Sequence, residues 1–282
     1  MRKRIILSVS ALALALGAAR GHDMFLVPPG GEVAPGGEIA VALYNGTFEQ
    51  SENTIDRERM RDVTVIDGDG WAHHPLAPAW RDAGSTSVLT LAAGPPGTLL
   101  VGVSTRPRLL ELSAEEFNEY LRHDGVRDVL DERLREGSFE TDASEWYAKH
   151  VKTLIHVGGR STDTWSQRLG HPVEIVPLAD PFELRVGDTL AALVLVDGEP
   201  FAGQLVYAGY EGYRPPGGTS EAGGRDAQEA RSDVNGVIRF DITRPGRWYL
   251  RLIHMTPSGE EGIDYESNWA TLTFTVAGQA GH

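Results

Sequence analysis

The sequence predicts a mainly β protein, built as two antiparallel β-sandwich domains of immunoglobulin or transthyretin type with a short helical insertion between them. Three observations predict it. Short apolar or alternating runs, punctuated by Gly and Pro, fill the first third of the chain. The hydrophobic period becomes helical after Ser113, and the β pattern returns from Pro172 onward.

The elements follow in order. Residues 39–44, 62–66, 87–91 and 98–103 read as strands, separated by turns at Pro35-Gly36-Gly37, Asp67-Gly68-Asp69-Gly70 and Gly94-Pro95-Pro96-Gly97. Ser113-Ala114-Glu115-Glu116 is a capping box that opens a first helix, with Phe117, Tyr120 and Leu121 at helical spacing. A second helix is expected over 126–135 and a third over 144–154. Strands are then expected over 173–178, 189–196, 204–210, 237–241, 247–254 and 269–276, with Asp197-Gly198 and Asn235-Gly236 as hairpin turns. The Gly-, Pro- and charge-rich stretch 214–231 reads as a long loop. The expected division is a leader over 1–21, an N-terminal sandwich over 22–108, the helical insertion over 109–160 and a C-terminal sandwich over 161–282.

The leader has the physics of export. Arg2-Lys3-Arg4 precedes an apolar run from Ile5 to Ala18 and then small residues, which is a basic start, a greasy centre and a cleavage zone. No later stretch of about 18 apolar residues follows, so no transmembrane segment is expected in the mature chain, and the expected location is the periplasm. The 282 residues include no cysteine, which excludes disulfides and thiolate metal sites. The formal charge is −14, and losing Arg2, Lys3, Arg4 and Arg20 with the leader takes it to about −18. Such a surface argues against nucleic acid and favours cations.

Cleavage after Gly21 makes His22 the first residue. Its α-amine, which titrates near 8, and its imidazole then form one small chelate ring. Cleavage after Ala19 places His22 third, a square-planar arrangement suited to Cu(II) or Ni(II). Among the other histidines, the adjacent His73 and His74 read as surface residues, His123 as a cation at a helix end, and His171 as solvated in the Gly170-His171-Pro172 turn. His156, where the third helix ends, is a candidate ligand, and His150 a lesser one. His254 shares the core-facing alternation of Trp248, Leu250 and Leu252 and stands before a loop bearing Glu260, Glu261, Asp264 and Glu266. It reads equally as a ligand or as a histidine paired with a carboxylate. Catalytic signatures are poor, with no nucleophile elbow and no H-E-x-x-H.

Several segments together resemble the exported domain-of-unknown-function family associated with nickel uptake, the extracytoplasmic partners of nickel and cobalt transporters. They are His22-Asp23-Met24-Phe25-Leu26, Glu111-Leu112-Ser113-Ala114-Glu115-Glu116-Phe117, Trp146-Tyr147-Ala148-Lys149, Gly246-Arg247-Trp248, Ile253-His254-Met255 and Asp264-Tyr265-Glu266-Ser267-Asn268-Trp269. Met24, where an aromatic is common, and Asn268 are departures. The resemblance implies cleavage before His22 and a divalent metal ion as ligand, nickel or cobalt first, copper or zinc as alternatives. It implies a metal set of His22, His254 and Asp264 or Glu266, with His156 as a further candidate, and a membrane metal transporter as partner. The competing expectations are a copper histidine-brace protein, either carrier or oxidative enzyme, and a metal-independent interaction module.

Overall fold

The computed structural model describes residues 22–30, 33–75, 79–214 and 226–278. The expected leader lies outside them, as does much of the expected loop over 214–231. The first part of the chain forms β1 (Asp23–Val27), β2 (Glu38–Gly46), β3 (Met60–Ile66), β4 (Ala72–His73), β5 (Ala79–Ala83), β6 (Thr86–Ala92), β7 (Gly97–Thr105) and β8 (Arg108–Leu112). Two helices, α1 (Ala114–Asp124) and α2 (Arg127–Glu136), precede β9 (Ala143–Val157). The remainder forms β10 (Val173–Pro177), β11 (Thr189–Val196), β12 (Glu199–Pro200), β13 (Leu205–Tyr210), β14 (Gln228–Arg231), β15 (Val237–Asp241), β16 (Gly246–Pro257) and β17 (Tyr265–Val276).

The mainly β class is as expected, and its layering is decided by one large sheet. Nine strands pair in the order β14-β13-β16-β17-β9-β7-β3-β4, with β8 also on β9. The segments expected as separate units therefore contribute strands to a common sheet. Residues of alternate parity along these strands face opposite sides. On one side lies the sheet β1-β2-β6-β5, whose Leu26, Val41, Leu43 and Leu89 close on Val65, Val101, Val103 and Ile155. On the other lies the smaller sheet of β10, β11, β12 and β15, packing Ile175, Val194 and Phe240 against Leu100, Leu250, Leu272 and Phe274. The helices cover the first side beside Ile253, Met255 and Trp269.

Both early helices form where expected. Ser113 and Glu116 make the reciprocal capping box, and Gly125 ends α1 in the left-handed conformation at φ 79°. Tyr207 donates its hydroxyl to the Gly125 carbonyl at 2.9 Å, and a Cβ at Gly125 would collide with that same phenol. Gly125→Ala is expected to cost about 1–3 kcal/mol, read by urea unfolding, because strained backbone and overpacking act together.

The third helix does not form. Residues 144–154 lie inside β9, parallel to β17 and antiparallel to β7 and β8. Ser144, which would cap a helix, instead gives its N–H and hydroxyl to Asp264, both at 2.8 Å. The β-branched Val151, Thr153, Ile155 and Val157 then pack on the pleated surface. Asn235-Gly236 does turn the chain, but it links β14 and β15, which belong to different sheets, so it closes no hairpin. His171 is buried rather than solvated, because its loop lies over Gly102, where the absence of a side chain leaves room for the Leu169 and His171 side chains. Among the described residues no helix is long and apolar enough to cross a membrane.

Candidate functional site

The expected metal ligands do not meet at one place, although His254 and Glu266 share a cavity. His22 immediately precedes β1, and its carbonyl accepts from Lys149 Nζ, while the next carbonyl but one, of Met24, accepts from Thr271 Oγ1 at 2.9 Å. Lys149 is in register with Trp269, and Thr271 is two residues along the same strand, so His22 sits on the side of the large sheet that carries Trp269. His254 is in register with Asn268, one residue over and hence on the opposite side. The sheet backbone lies between the two histidines. Among the described residues no group of three or more His, Asp or Glu side chains is placed to hold a metal ion, so the expected joint set is not assembled by this fold.

Each of the other expected ligands has its own setting. His254 does face the core side of β16, as the alternation implied, but Nδ1 meets the Gln204 amide oxygen at 3.0 Å rather than a carboxylate, and burial lowers its pKa. Glu266 lines the same cavity of about 390 Å³ as His254, with His150 and Asn268, so these two expected residues do share a space. Asp264 is occupied by Ser144 at the start of β9. His156 stacks on Phe182 at 4.7 Å between ring centroids, in a different cavity of about 520 Å³.

His22 opens on a cavity of about 380 Å³ between the start of β1, the segment 53–59, β8 and α1. Its Nδ1 lies 3.1 Å from Glu52 Oε2. Sequence reasoning missed most of the cavity's other residues. Tyr147, Lys149 and Trp269 come from neighbouring central strands, Tyr120 from α1, and Arg59 from the short turn after Asp56. A strand reading of 145–157 would have put Tyr147 and Lys149 on one face with Glu145, Val151 and Ile155 at a period of two, but not Trp269, Tyr120 or Arg59 beside them.

Behind the aromatic wall a polar cluster fixes the rings. Tyr120 donates its hydroxyl to Glu145 at 3.2 Å, and Trp269 Nε1 donates to Ser267 Oγ at 3.1 Å. The Ser267 hydroxyl in turn donates to Glu145. The Tyr120 and Trp269 rings stack in parallel at 6.0 Å. Burial raises the Glu145 carboxyl to about 7, opposed by the hydroxyls of Ser267 and Tyr120. Lys149, 5% exposed, is pulled down to about 7 by burial first and then by the Arg59 charge, against the attraction of Asp124 and Glu145. Its ammonium lies 4.7 Å from the Trp269 ring centre.

Arg59 is held by Tyr147, donating Nη1 to the phenol oxygen at 3.1 Å with the guanidinium 4.8 Å from the ring centre. Its Nε and Nη2 are buried and have no hydrogen-bond partner among the described residues. An unmet buried donor costs about 1–3 kcal/mol, and more when it is charged, so this edge is the least satisfied feature of the cavity wall.

A family model described as a domain of unknown function, DUF4198, matches residues 19–256. The chain belongs to the DUF4198 family. No curated protein matches this DUF4198 chain. Structure comparison finds it similar to the D0-D1 domain of intimin, with 10% identity, a TM-score of 0.21, and coverage of 89% of this chain and 97% of that one. It is also similar to an Escherichia coli alpha-2-macroglobulin activated by porcine elastase, with 10% identity, a TM-score of 0.23, and coverage of 90% of this chain and 20% of that one. A third similarity is to a putative membrane anchored protein from Corynebacterium diphtheriae, with 11% identity, a TM-score of 0.25, and coverage of 90% of this chain and 59% of that one. Likenesses at these TM-scores carry no argument about what the DUF4198 chain binds.

Proposed function

We propose that this DUF4198 protein is an exported, periplasmic carrier that holds a divalent transition metal ion, nickel or cobalt first, as cargo for a membrane transporter. The reading places the ion at the mouth of the cavity beside β1. One observation supports it above the others: His22 Nδ1 and the Glu52 carboxylate face one another at 3.1 Å. If the chain begins at His22, the α-amine joins the imidazole in one chelate ring, and Glu52 supplies an oxygen in place of the distant His254, Asp264, Glu266 and His156. Arg59 and Lys149 line the same cavity, and their charge opposes a bare cation, so Glu52 is the group that makes the mouth tolerable for one. A set of two nitrogens and an oxygen suits Ni(II) or Co(II), although copper outcompetes both for such donors. A histidine brace needs a second imidazole, and the described residues lining this cavity include no histidine besides His22.

The test is titration calorimetry of the chain starting at His22 with Ni(II) and Co(II). One ion per chain is expected. Affinity should fall by about tenfold or more in His22→Ala, in Glu52→Ala, and when one extra residue precedes His22, since each change removes a direct donor. His254→Ala should bind as the parent does. Unaltered binding in His22→Ala, or none in the parent, sinks the reading. Ion binding to the folded chain alone should also stabilise it by about 2.7 kcal/mol at a hundredfold excess over Kd.

A further inference from the structure

We infer that the cavity beneath His22 is a binding site for a small organic carboxylate with a flat apolar body, received by the Nε and Nη2 edge of Arg59. The inference stands apart from the metal reading, because its anchor is Arg59 and it needs neither the α-amine nor the imidazole of His22.

The guanidinium carries the argument. Arg59 already spends Nη1 on Tyr147, and the ring beneath the guanidinium fixes its plane. Nε and Nη2 are the two nitrogens that remain, and among the described residues neither has a partner. These two N–H groups lie side by side on one edge of the planar group and point in parallel. That is the spacing that matches the two oxygens of one carboxylate, and a flexible ammonium offers no equivalent. Both nitrogen atoms are shut off from water in the structure, so a carboxylate reaches the edge only as the neighbouring wall of the cavity yields to it.

The charge around the socket selects for an anion. The chain as a whole has a formal charge of −14, yet Arg59, Arg108 and Lys149 line this one cavity and Asp56 is its only carboxylate among the described lining residues. Arg59 and Lys149 are close enough for the one to depress the pKa of the other. Arg59 and Arg108, joined by Lys149 when it is protonated, face a shared space inside an acidic protein and form a local field that concentrates small anions.

The walls select for an organic body over a bare inorganic anion. Tyr120, Tyr147 and Trp269 line the cavity with Ile55 and Leu110, and the hydroxyl cluster of Glu145 and Ser267 holds Tyr120 and Trp269 in place from behind. The space of about 380 Å³ is in the range of pockets that enclose small molecules. Apolar, aromatic walls around a few convergent polar groups are what a carboxylic acid with an aromatic or unsaturated frame requires.

Benzoate is the probe, with benzamide as its uncharged match and inorganic phosphate as the tetrahedral anion. Binding is measured by calorimetry and by tryptophan fluorescence on chelator-treated, metal-free protein, so that failure of the metal reading leaves the result untouched. Benzoate should bind at one site per chain, about tenfold or more tighter than benzamide. Arg59→Met and Arg59→Lys should each weaken benzoate by at least about tenfold, while His254→Ala, on the opposite side of the large sheet, should leave benzoate affinity within about twofold. Coincident melting curves for Arg59→Lys and the parent confirm that the loss is local, and an Arg59→Lys chain that melts early is replaced in the comparison by Tyr147→Phe, which frees Arg59 Nη1 and should weaken benzoate less than Arg59→Met does. Equal binding of benzoate and benzamide, benzoate binding that survives Arg59→Met, or phosphate binding in preference to benzoate each overturns the inference.

Discussion

Replacing Lys152 by methionine is expected to destabilise the fold by about 3–5 kcal/mol, because it strands a carboxylate in the core. Lys152 Nζ and Glu174 Oε1 meet at 2.7 Å, with side chains 3% and 2% exposed. The pair joins the central strand β9 to β10 of the smaller sheet. Glu174 also accepts from the backbone N–H of Leu169 at 2.7 Å and of Gly170 at 3.2 Å, so the same carboxylate fixes the loop that lies over Gly102. Methionine preserves the stem's packing and removes only the charge. The double variant Lys152→Met/Glu174→Leu should recover part of the loss, since no buried ion is then left alone, but not all of it, since two backbone donors lose their acceptor. Urea denaturation of the single and double variants reads both effects. A loss under about 1 kcal/mol for Lys152→Met would mean that water reaches Glu174 and that the pair organises nothing.

The second large effect is acid sensitivity. His171 is 7% exposed, and burial, reinforced by His150 and Lys152, pushes its pKa down to about 3 from an ordinary value of 6.5. Arg61 acts in the same direction, and Asp62 is the acid that opposes them. His150, whose ring lies 5.3 Å away, is lowered as well, chiefly by burial. Both rings are therefore neutral in the folded chain, while the unfolded chain takes up protons near 6.5. The stability they allow is complete above that value and is lost as pH falls from about 6.5 toward 3. For His171 alone the loss is of order 4 kcal/mol at the acid end, at about 1.4 kcal/mol per unit. His171→Leu removes the titrating group and also the buried Nδ1 that has no partner among the described residues. Its stability should fall less steeply than the parent's between pH 6 and about 4. Parallel stability curves for the two proteins across that interval would contradict the burial argument.

What could be read in advance followed from local rules. Ser113 and Glu116 cap α1 because the box needs only four consecutive residues. The strands around Ala42, Val65, Leu89 and Val101 were legible because each is short, apolar and bounded by turn residues. β9 was misread because Ser144 and Glu145 imitate a helix start, and nothing local says that Asp264 takes the Ser144 donors. β1 falls in the stretch that reads as β but has no bounded strand of its own in the sequence, because Asp23 begins it, and in the fold Asp23 is buried opposite Gly46. The candidate site shared this fate. The sequence singles out His22 on the expectation of a leader, but Arg59, Tyr147, Lys149 and Trp269 reach its cavity from separate strands and a turn.

The sequence by itself determined the mainly β class and the helical punctuation after Ser113, since periodicity and capping act over a few residues. Only the tertiary structure decided which side of the large sheet each histidine occupies. A shift of one residue along a strand reverses the face, so Asn268 and Trp269, neighbours in the chain, look into different cavities. That reversal parts His254 from His22 and puts Lys149 and Arg59 beside it, because strand pairing across more than a hundred residues sets the register and no local pattern encodes it.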